Sequence, residues 1–135
     1  MAEIAFQGSP AMHYFESALA GLHEAAGLDE TTIVRDALIR RFVNAFETAW
    51  RALFWSLTLL GVQVRSETTD VLQRSGETGL LKDEALWREI RYFRDRSPQA
   101  FDETIAGELA DFVRAQAIIA FDDLLLEIQA SIRLA

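Results

Sequence analysis

One stretch, from Thr32 to Leu60, constrains the fold of this chain more than any other. It contains no Gly or Pro, and alternating steps of three and four along it meet an apolar residue almost every time. The positions met are Ile39, Phe42, Phe46, Ala49, Leu53, Ser56 and Leu60, and Trp50 and Leu57 widen the stripe. This spacing predicts a helix of roughly 40 Å with one buried face, on which Trp50 belongs to the core. Such a helix needs the other segments to cover that face.

Composition limits the class of protein. Half of the 135 residues are hydrophobic, which is enough for one domain with a core, and there is no Cys to form a disulfide or a thiolate metal site. A net charge of −8 argues against general affinity for nucleic acid or anionic lipid. The longest uncharged run, 52–64, is too short to cross a bilayer, and the start has no secretory pattern. We therefore expect a cytoplasmic protein without a membrane or nucleic-acid partner.

The rest of the chain has the spacing of further helices separated by turn residues. Residues 1–10 are expected to form an N-terminal arm, and residues 11–135 a single helical-bundle domain. Helices are predicted over 11–26, from Thr68 to Arg74 with Gly76 and Gly79 closing it, from an N-cap at Asp83 onward, and from Ser97-Pro98 to Ile132. No segment alternates as a strand would. The sequence predicts an all-α fold, an antiparallel up-and-down four-helix bundle with a short extra helix.

Several kinds of chemistry are absent from the sequence. The two histidines, His13 and His23, do not follow a Glu at the spacing of a di-metal carboxylate bundle, and both are expected at the solvent edge. No Gly-rich phosphate loop or nucleophile elbow is present. We predict no metal site and no cofactor.

A second stretch concentrates arginine on this otherwise acidic chain. Arg88, Arg91 and Arg94 form a row with steps of three on one side of a predicted helix, and Arg96 follows. The row is either a salt-bridged, solvated helix face or a local contact for a phosphate or carboxylate. Both interpretations remain open. We also expect Arg94 to pair with a carboxylate, either Asp102 or Asp95.

Three motifs resemble the nucleotidyltransferase substrate-binding family. Residues 35–42, RDALIRRF, resemble the D-x-x-I-Q-R-F-E that opens the family's long helix, and residues 46–53, FETAWRAL, resemble F-E-x-x-W-K-x-L. Gly79-Leu80-Leu81 followed by Trp87 resembles its G-L-I-x(n)-W element. The family consists of small all-α proteins encoded beside minimal nucleotidyltransferases, within the wider group of higher eukaryote and prokaryote nucleotide-binding (HEPN) domains.

The family's signature, R-N-x-x-x-H-x-Y-D-E, is only partly kept. It falls on Arg94, Asp95, Gln99, Phe101, Asp102 and Glu103. In ribonuclease members the His serves cleavage, but Gln99 cannot titrate and so cannot act as a general acid or base. In toxin–antitoxin members the Tyr hydroxyl is adenylylated, but Phe101 has no hydroxyl. The resemblance therefore implies a binding site without its reactive groups.

Three functions follow from this comparison. The first is a non-catalytic substrate-binding or scaffolding subunit that pairs with a separate minimal nucleotidyltransferase. The second is a ribonuclease toxin of the HEPN kind, which Gln99, Phe101 and the net charge disfavour. The third is a helical homodimer with an unrelated interaction role. We favour the first and expect no catalysis by the chain alone.

Two aromatic residues of the long helix are not explained by its buried stripe. Trp55 and Phe54 fall at the two edges of the polar face, next to Arg51 and Glu47. Either another segment folds over them, or they are exposed and mark a contact surface. The resemblance implies a homodimer. We therefore predict a two-fold interface of Phe54, Trp55 and Arg51.

Overall fold

The computed structural model describes residues 9–134, and 82% of it is helix. The helices, numbered in chain order, are α1 (Pro10–Ala26), α2 (Thr32–Leu59), α3 (Thr68–Thr78), α4 (Glu84–Arg96), α5 (Glu103–Phe112) and α6 (Ile118–Leu134). A 3-10 turn, Ser97–Gln99, follows α4, and a π-helical turn, Val113–Ala117, makes α5 and α6 continuous. Counted in this way, residues 9–134 hold five helices and no strand. The predicted all-α bundle is confirmed.

The first helix begins earlier than its sequence pattern suggests. Ser9 is its N-cap, with the side-chain oxygen 3.4 Å from the Met12 amide, and Pro10 occupies the first turn. Pro suits that turn because its missing N–H would have no partner there. Two residues assigned to the predicted arm thus belong to the start of α1, and the remainder of the arm lies outside the described residues.

The long helix has the predicted bounds to within one residue, Thr32–Leu59. Thr31 caps it by accepting from the Val34 amide over 3.1 Å. Its apolar stripe is buried, and Trp50 retains only 9% of its surface, so the prediction that Trp50 belongs to the core is confirmed. The polar member of the stripe, Ser56, is buried too, and it donates to the Ala52 carbonyl over 2.7 Å. That bond satisfies a hydroxyl that would otherwise be costly to bury.

Aromatic rings from four helices meet in the core. Phe121 of α6 lies with its ring centroid 6.4 Å from Phe15 of α1, 6.1 Å from Phe42 of α2 and 5.6 Å from Trp87 of α4. Burial of aromatic surface is a large stabilising term in a domain of this size. Phe121 therefore connects α6 to α1, α2 and α4 through ring contacts.

The third helix is longer than predicted, because Gly76 does not end it. It runs to Thr78 and stops at Gly79, whose φ of +85° is a conformation that glycine adopts without steric cost. Asp83 then caps α4 by accepting from the Leu86 amide over 3.1 Å, as predicted.

The predicted start of the last helix at Ser97-Pro98 is wrong. Those residues form the 3-10 turn, in which the Ser97 hydroxyl donates back to the Arg94 carbonyl over 2.7 Å. The helix begins at Glu103, and its N-cap is Asp102, which accepts from the Thr104 and Ile105 amides. A carboxylate that can bind two free amides is a stronger cap than a hydroxyl already engaged elsewhere.

The π-helical turn lies opposite the end of α1. Within it, Arg114 donates through Nη1 to the Ala26 carbonyl over 2.6 Å, and its Nε lies 3.4 Å from Glu30. A guanidinium in this place satisfies a carbonyl that the end of α1 leaves without a helical partner. None of the described helices has the length and apolar character needed to cross a bilayer.

Candidate functional site

Arg94, near the end of α4, points inward to α2. Its guanidinium carbon lies 4.7 Å from the centroid of the Phe46 ring, a cation–π arrangement. Its Nη1 donates to Glu47 Oε1 over 2.6 Å, a short charge-assisted hydrogen bond. The side chain is 24% exposed. Because the Phe46 ring covers one face of the guanidinium and Glu47 binds one of its edges, the side chain has little freedom to move.

Glu47 receives three side-chain donors. Besides Arg94, its carboxylate accepts from Trp50 Nε1 over 3.1 Å and from Arg51 Nη1 over 3.3 Å. The Arg51 guanidinium in turn stacks 4.7 Å above the Trp50 ring. Phe46, Glu47 and Trp50 are the F-E-x-x-W part of the second motif, so this motif and the signature arginine build one structural unit, which we call the Arg94 cluster.

The expected pairing of Arg94 is correct in part. Asp95 Oδ1 lies 3.0 Å from Arg94 Nε, so an ion pair with Asp95 is confirmed. The N–H does not point at that oxygen, however, and Nε has no hydrogen-bond acceptor among the described residues. A pair with Asp102 is wrong, because Asp102 caps α5. The principal partner, Glu47, was missed, although it is one of only two acids in α2.

The rest of the signature faces solvent. Gln99, Asp102 and Glu103 are exposed, and Phe101 is 86% exposed. Phe101 lies on a groove of about 460 Å³ between the 97–101 turn and the first half of α2. The lining residues are Asp36, Ile39, Arg40, Val43, Asn44, Ser97, Pro98, Ala100 and Phe101. The signature thus divides into a half-buried arginine and an exposed loop.

The predicted basic row is divided as well. Arg88 and Arg91 line a second groove between α3 and α4, where Arg91 Nη1 donates to Thr69 Oγ1 over 2.9 Å, whereas Arg94 turns to α2. Arg96 donates to the Tyr92 hydroxyl, and this hydrogen bond raises the pKa of Arg96. The row is therefore not one contact surface.

The aromatic pair at the predicted interface is covered more than expected. Phe54 and Trp55 are half-buried and pack against the core, so the expectation of two exposed aromatics is wrong. Phe54 lies beside Val62 and Val64 of the connection to α3. Arg51 is exposed. A homodimer through these residues stays a prediction.

Both histidines are accessible, as expected. His13 is exposed, and His23 Nε2 lies 2.7 Å from Asp122 Oδ1 with both side chains about half exposed. Between residues 9 and 134, no three His, Asp or Glu side chains are grouped as ligands of a metal ion would be. Among the described residues, the Arg94 cluster and the two grooves each contain residues of the predicted site.

Comparison with known proteins identifies a family and solved structures of similar fold. The family described as nucleotidyltransferase substrate binding protein like matches residues 11–130. A crystal structure of a protein from Thermus thermophilus has a TM-score of 0.72 and 28% identity, covering 88% of this chain and 98% of that one. The comparison with curated proteins gives no match.

Proposed function

Because the chain belongs to the nucleotidyltransferase substrate binding protein-like family, we propose that it is a non-catalytic subunit that pairs with a separate minimal nucleotidyltransferase. In that complex it would bind or position the acceptor substrate. The family match over residues 11–130 is the observation that carries this proposal. The fold supports it, since Gln99, Phe101, Asp102 and Glu103 of the signature are exposed, where a second protein can reach them.

The exposed part of the signature supports a binding role over a catalytic one. Proton transfer in RNA cleavage needs a titratable group within reach of the reacting oxygen. The Gln99 amide does not titrate, and the Phe101 ring carries no hydroxyl that a nucleotidyl group could modify. Both side chains are exposed at the turn, so they are available for contact.

The Arg94 cluster supports the same conclusion. A catalytic arginine in phosphate chemistry presents free N–H groups to the phosphate. Arg94 is only 24% exposed, with Nη1 donated to Glu47 and one face against Phe46, so little of its guanidinium is open to a phosphate, and Glu47 is shared with Trp50 and Arg51. Releasing Arg94 to a phosphate would leave that half-buried carboxylate short of a partner. We assign the cluster a structural role, which is to fix the end of α4 and the turn after it.

We assign the groove beside Phe101 as the contact surface for the nucleotidyltransferase. A phenylalanine that is 86% exposed is costly to leave in water, and large apolar side chains of this kind are typical anchors of interfaces. The neighbouring Arg40, Asp36 and Asn44 supply polar contacts at the rim. Homodimer formation through Arg51, Phe54 and Trp55 in the cytosol remains part of this proposal, and light scattering of the purified chain tests it.

Purification of the tagged protein from its native cell tests the pairing. We expect mass spectrometry to find a short chain with a G-S-x(n)-D-x-D nucleotidyltransferase motif, and the two purified chains to co-elute in gel filtration. Phe101→Ser is expected to weaken that complex at least about tenfold, as loss of an interface anchor does. Tyr14→Ser is the matched control, because it also removes an exposed aromatic side chain, here on α1. This variant should bind as the wild type does.

Two results would contradict the proposal. One is that the tagged protein brings down no nucleotidyltransferase from cells that express one. The other is that purified protein cleaves RNA and that Arg94→Ala abolishes the cleavage, which would favour the HEPN ribonuclease alternative.

A further inference from the structure

Helices α3 and α4 form an antiparallel hairpin with a groove along it. The groove has a volume of about 380 Å³, which falls within the range of small-molecule pockets. Its apolar part consists of Leu72, Leu81 and Trp87, and the last two are almost fully buried. The groove shares no lining residue with the groove beside Phe101. It is therefore a separate feature, which we call the hairpin groove.

The charged residues of the hairpin groove are sorted by sign along its length. Glu77 and Glu84 lie at the end near the connection between the helices, and Arg88 and Arg91 lie toward the other end. Arg91 is fixed there by its bond to Thr69 in the first turn of α3. Glu84 and Arg91 are seven positions apart on α4, which is roughly 10 Å along a helix. The groove therefore has an acidic end and a basic end.

The two ends do not neutralise each other. Glu84 and Arg88 have the i, i+4 spacing at which a carboxylate and a guanidinium usually pair, yet they form no ion pair within 4.0 Å. The Glu84 carboxylate lies against Gly76 of α3 instead, in space that a Cβ at position 76 would occupy. Glu77 is engaged by Arg74, with both carboxylate oxygens 3.1 Å from Nη1. Among the described residues, Arg88 has no carboxylate partner.

Gly76 has a specific reason to be glycine. Glycine is unfavourable inside a helix, and α3 continues past it to Thr78. Its φ does not require glycine, since the positive-φ glycines are Gly61 and Gly79. The space it leaves is filled by the Glu84 carboxylate, which is thereby held on α3 and away from Arg88.

We propose that the hairpin groove binds an elongated zwitterionic small molecule. Its amine would lie between Glu77 and Glu84, its anionic group, a carboxylate or a phosphate, would lie at Arg88 and Arg91, and its middle would cover Leu72. The groove has acids at one end and arginines at the other, so a ligand with both charges fits better than one with a single charge, and its amine would share Glu77 with Arg74. This site is built by α3 and α4, and it does not depend on the pairing with a nucleotidyltransferase.

Titration of the full chain with aminooctanoic acid tests the charge pattern. Octanoate and octylamine, each with one of the two charges, are the controls, and aminohexyl phosphate distinguishes a phosphate from a carboxylate at the basic end. Calorimetry gives affinities, and amide chemical shifts locate the site. We expect one of the zwitterions to bind at least about tenfold tighter than either singly charged control, with shifts at 68–91.

Two variants test the residues. Arg88→Gln is expected to weaken zwitterion binding about tenfold. Gly76→Ala displaces the Glu84 carboxylate, so it should weaken binding while thermal stability stays equal or rises, because Ala favours a helix. Arg133→Gln, at an exposed arginine of α6, is the matched control and should bind as the wild type does.

Several results would overturn the proposal. These are binding of octanoate or octylamine as tight as that of the zwitterions, no binding of either zwitterion, or shifts outside the hairpin. Unchanged affinity in a folded Arg88→Gln variant would also overturn it. Failure to find a nucleotidyltransferase partner would contradict the proposed function but would not change the interpretation of these binding experiments.

Discussion

Glu47 of α2 and Arg94 of α4, separated by 47 positions in the chain, form a hydrogen-bonded ion pair of 2.6 Å. Each belongs to a different sequence motif, and the pair connects the middle of the long helix to the turn that carries the rest of the signature. Because both side chains are less than one-third exposed, the pair is screened less than a surface salt bridge. Its removal should therefore be measurable.

Glu47→Gln is expected to lower the free energy of unfolding by about 1–3 kcal/mol, since it leaves the Arg94 charge half-buried without its main partner. The control is Glu24→Gln, whose carboxylate is 72% exposed and lies 3.8 Å from Arg41. That change should cost below about 0.5 kcal/mol. Urea denaturation of both variants measures the difference, and equal midpoints would contradict a stabilising role for the cluster.

Trp50→Ala is expected to cost about 3–5 kcal/mol, because the ring is nearly buried on the apolar stripe. Trp50→Phe retains most of the packing and loses the donor to Glu47, so it should cost about 1 kcal/mol. Denaturant unfolding of the pair separates packing from hydrogen bonding. A midpoint that does not change in Trp50→Ala would show that the face is misassigned.

Asp102→Ala is expected to lower stability by about 1 kcal/mol, because two amides of the first turn of α5 lose their acceptor. Gln99→Ala, at an exposed side chain in the preceding turn, should have almost no effect. Thermal unfolding monitored by circular dichroism compares them. A larger loss of stability in Gln99→Ala than in Asp102→Ala would show that Asp102 is not the N-cap.

The chain alone is expected to show neither RNA cleavage nor nucleotidyl transfer. Its signature positions offer no titratable His and no Tyr hydroxyl, since they hold Gln99 and Phe101. The measurement is incubation with labelled RNA, and separately with labelled ATP and Mg²⁺. Turnover that persists through purification and is lost in Arg94→Ala would refute this expectation.

Local sequence patterns predicted the helices that have strong periodicity and clear caps. The long helix and its buried face follow from three- and four-residue spacing, and Asp83 was recognised as a cap because it precedes an apolar run. The start of the last helix was misplaced because Ser97-Pro98 and Asp102 both look like N-termini in sequence. Only the tertiary position of the turn decides between them.

The arrangement of the site was less accessible to sequence reasoning. The pairing of Glu47 with Arg94 is a long-range contact, and no local pattern specifies which carboxylate an arginine reaches. One signal was available, since Glu47 is an acid beside a tryptophan on a helix with only one other acid. The separation of Arg88 and Arg91 from Arg94 likewise depends on which helices flank α4.

The π-helical turn at Val113–Ala117 is a place where the last helix can lose one residue. Phe112 and Phe121 are both buried although their separation of nine positions would place them on opposite sides of a regular α-helix. The wider turn absorbs the mismatch. Deleting one residue within it would remove the extra residue and leave a regular α-helix, in which Phe112 and Phe121 would be eight positions apart, about 80° around the axis, and so on the same side. A single codon lost here would therefore be tolerated, whereas the same loss in the middle of α2 would rotate the second half of its buried stripe by about 100° away from the core.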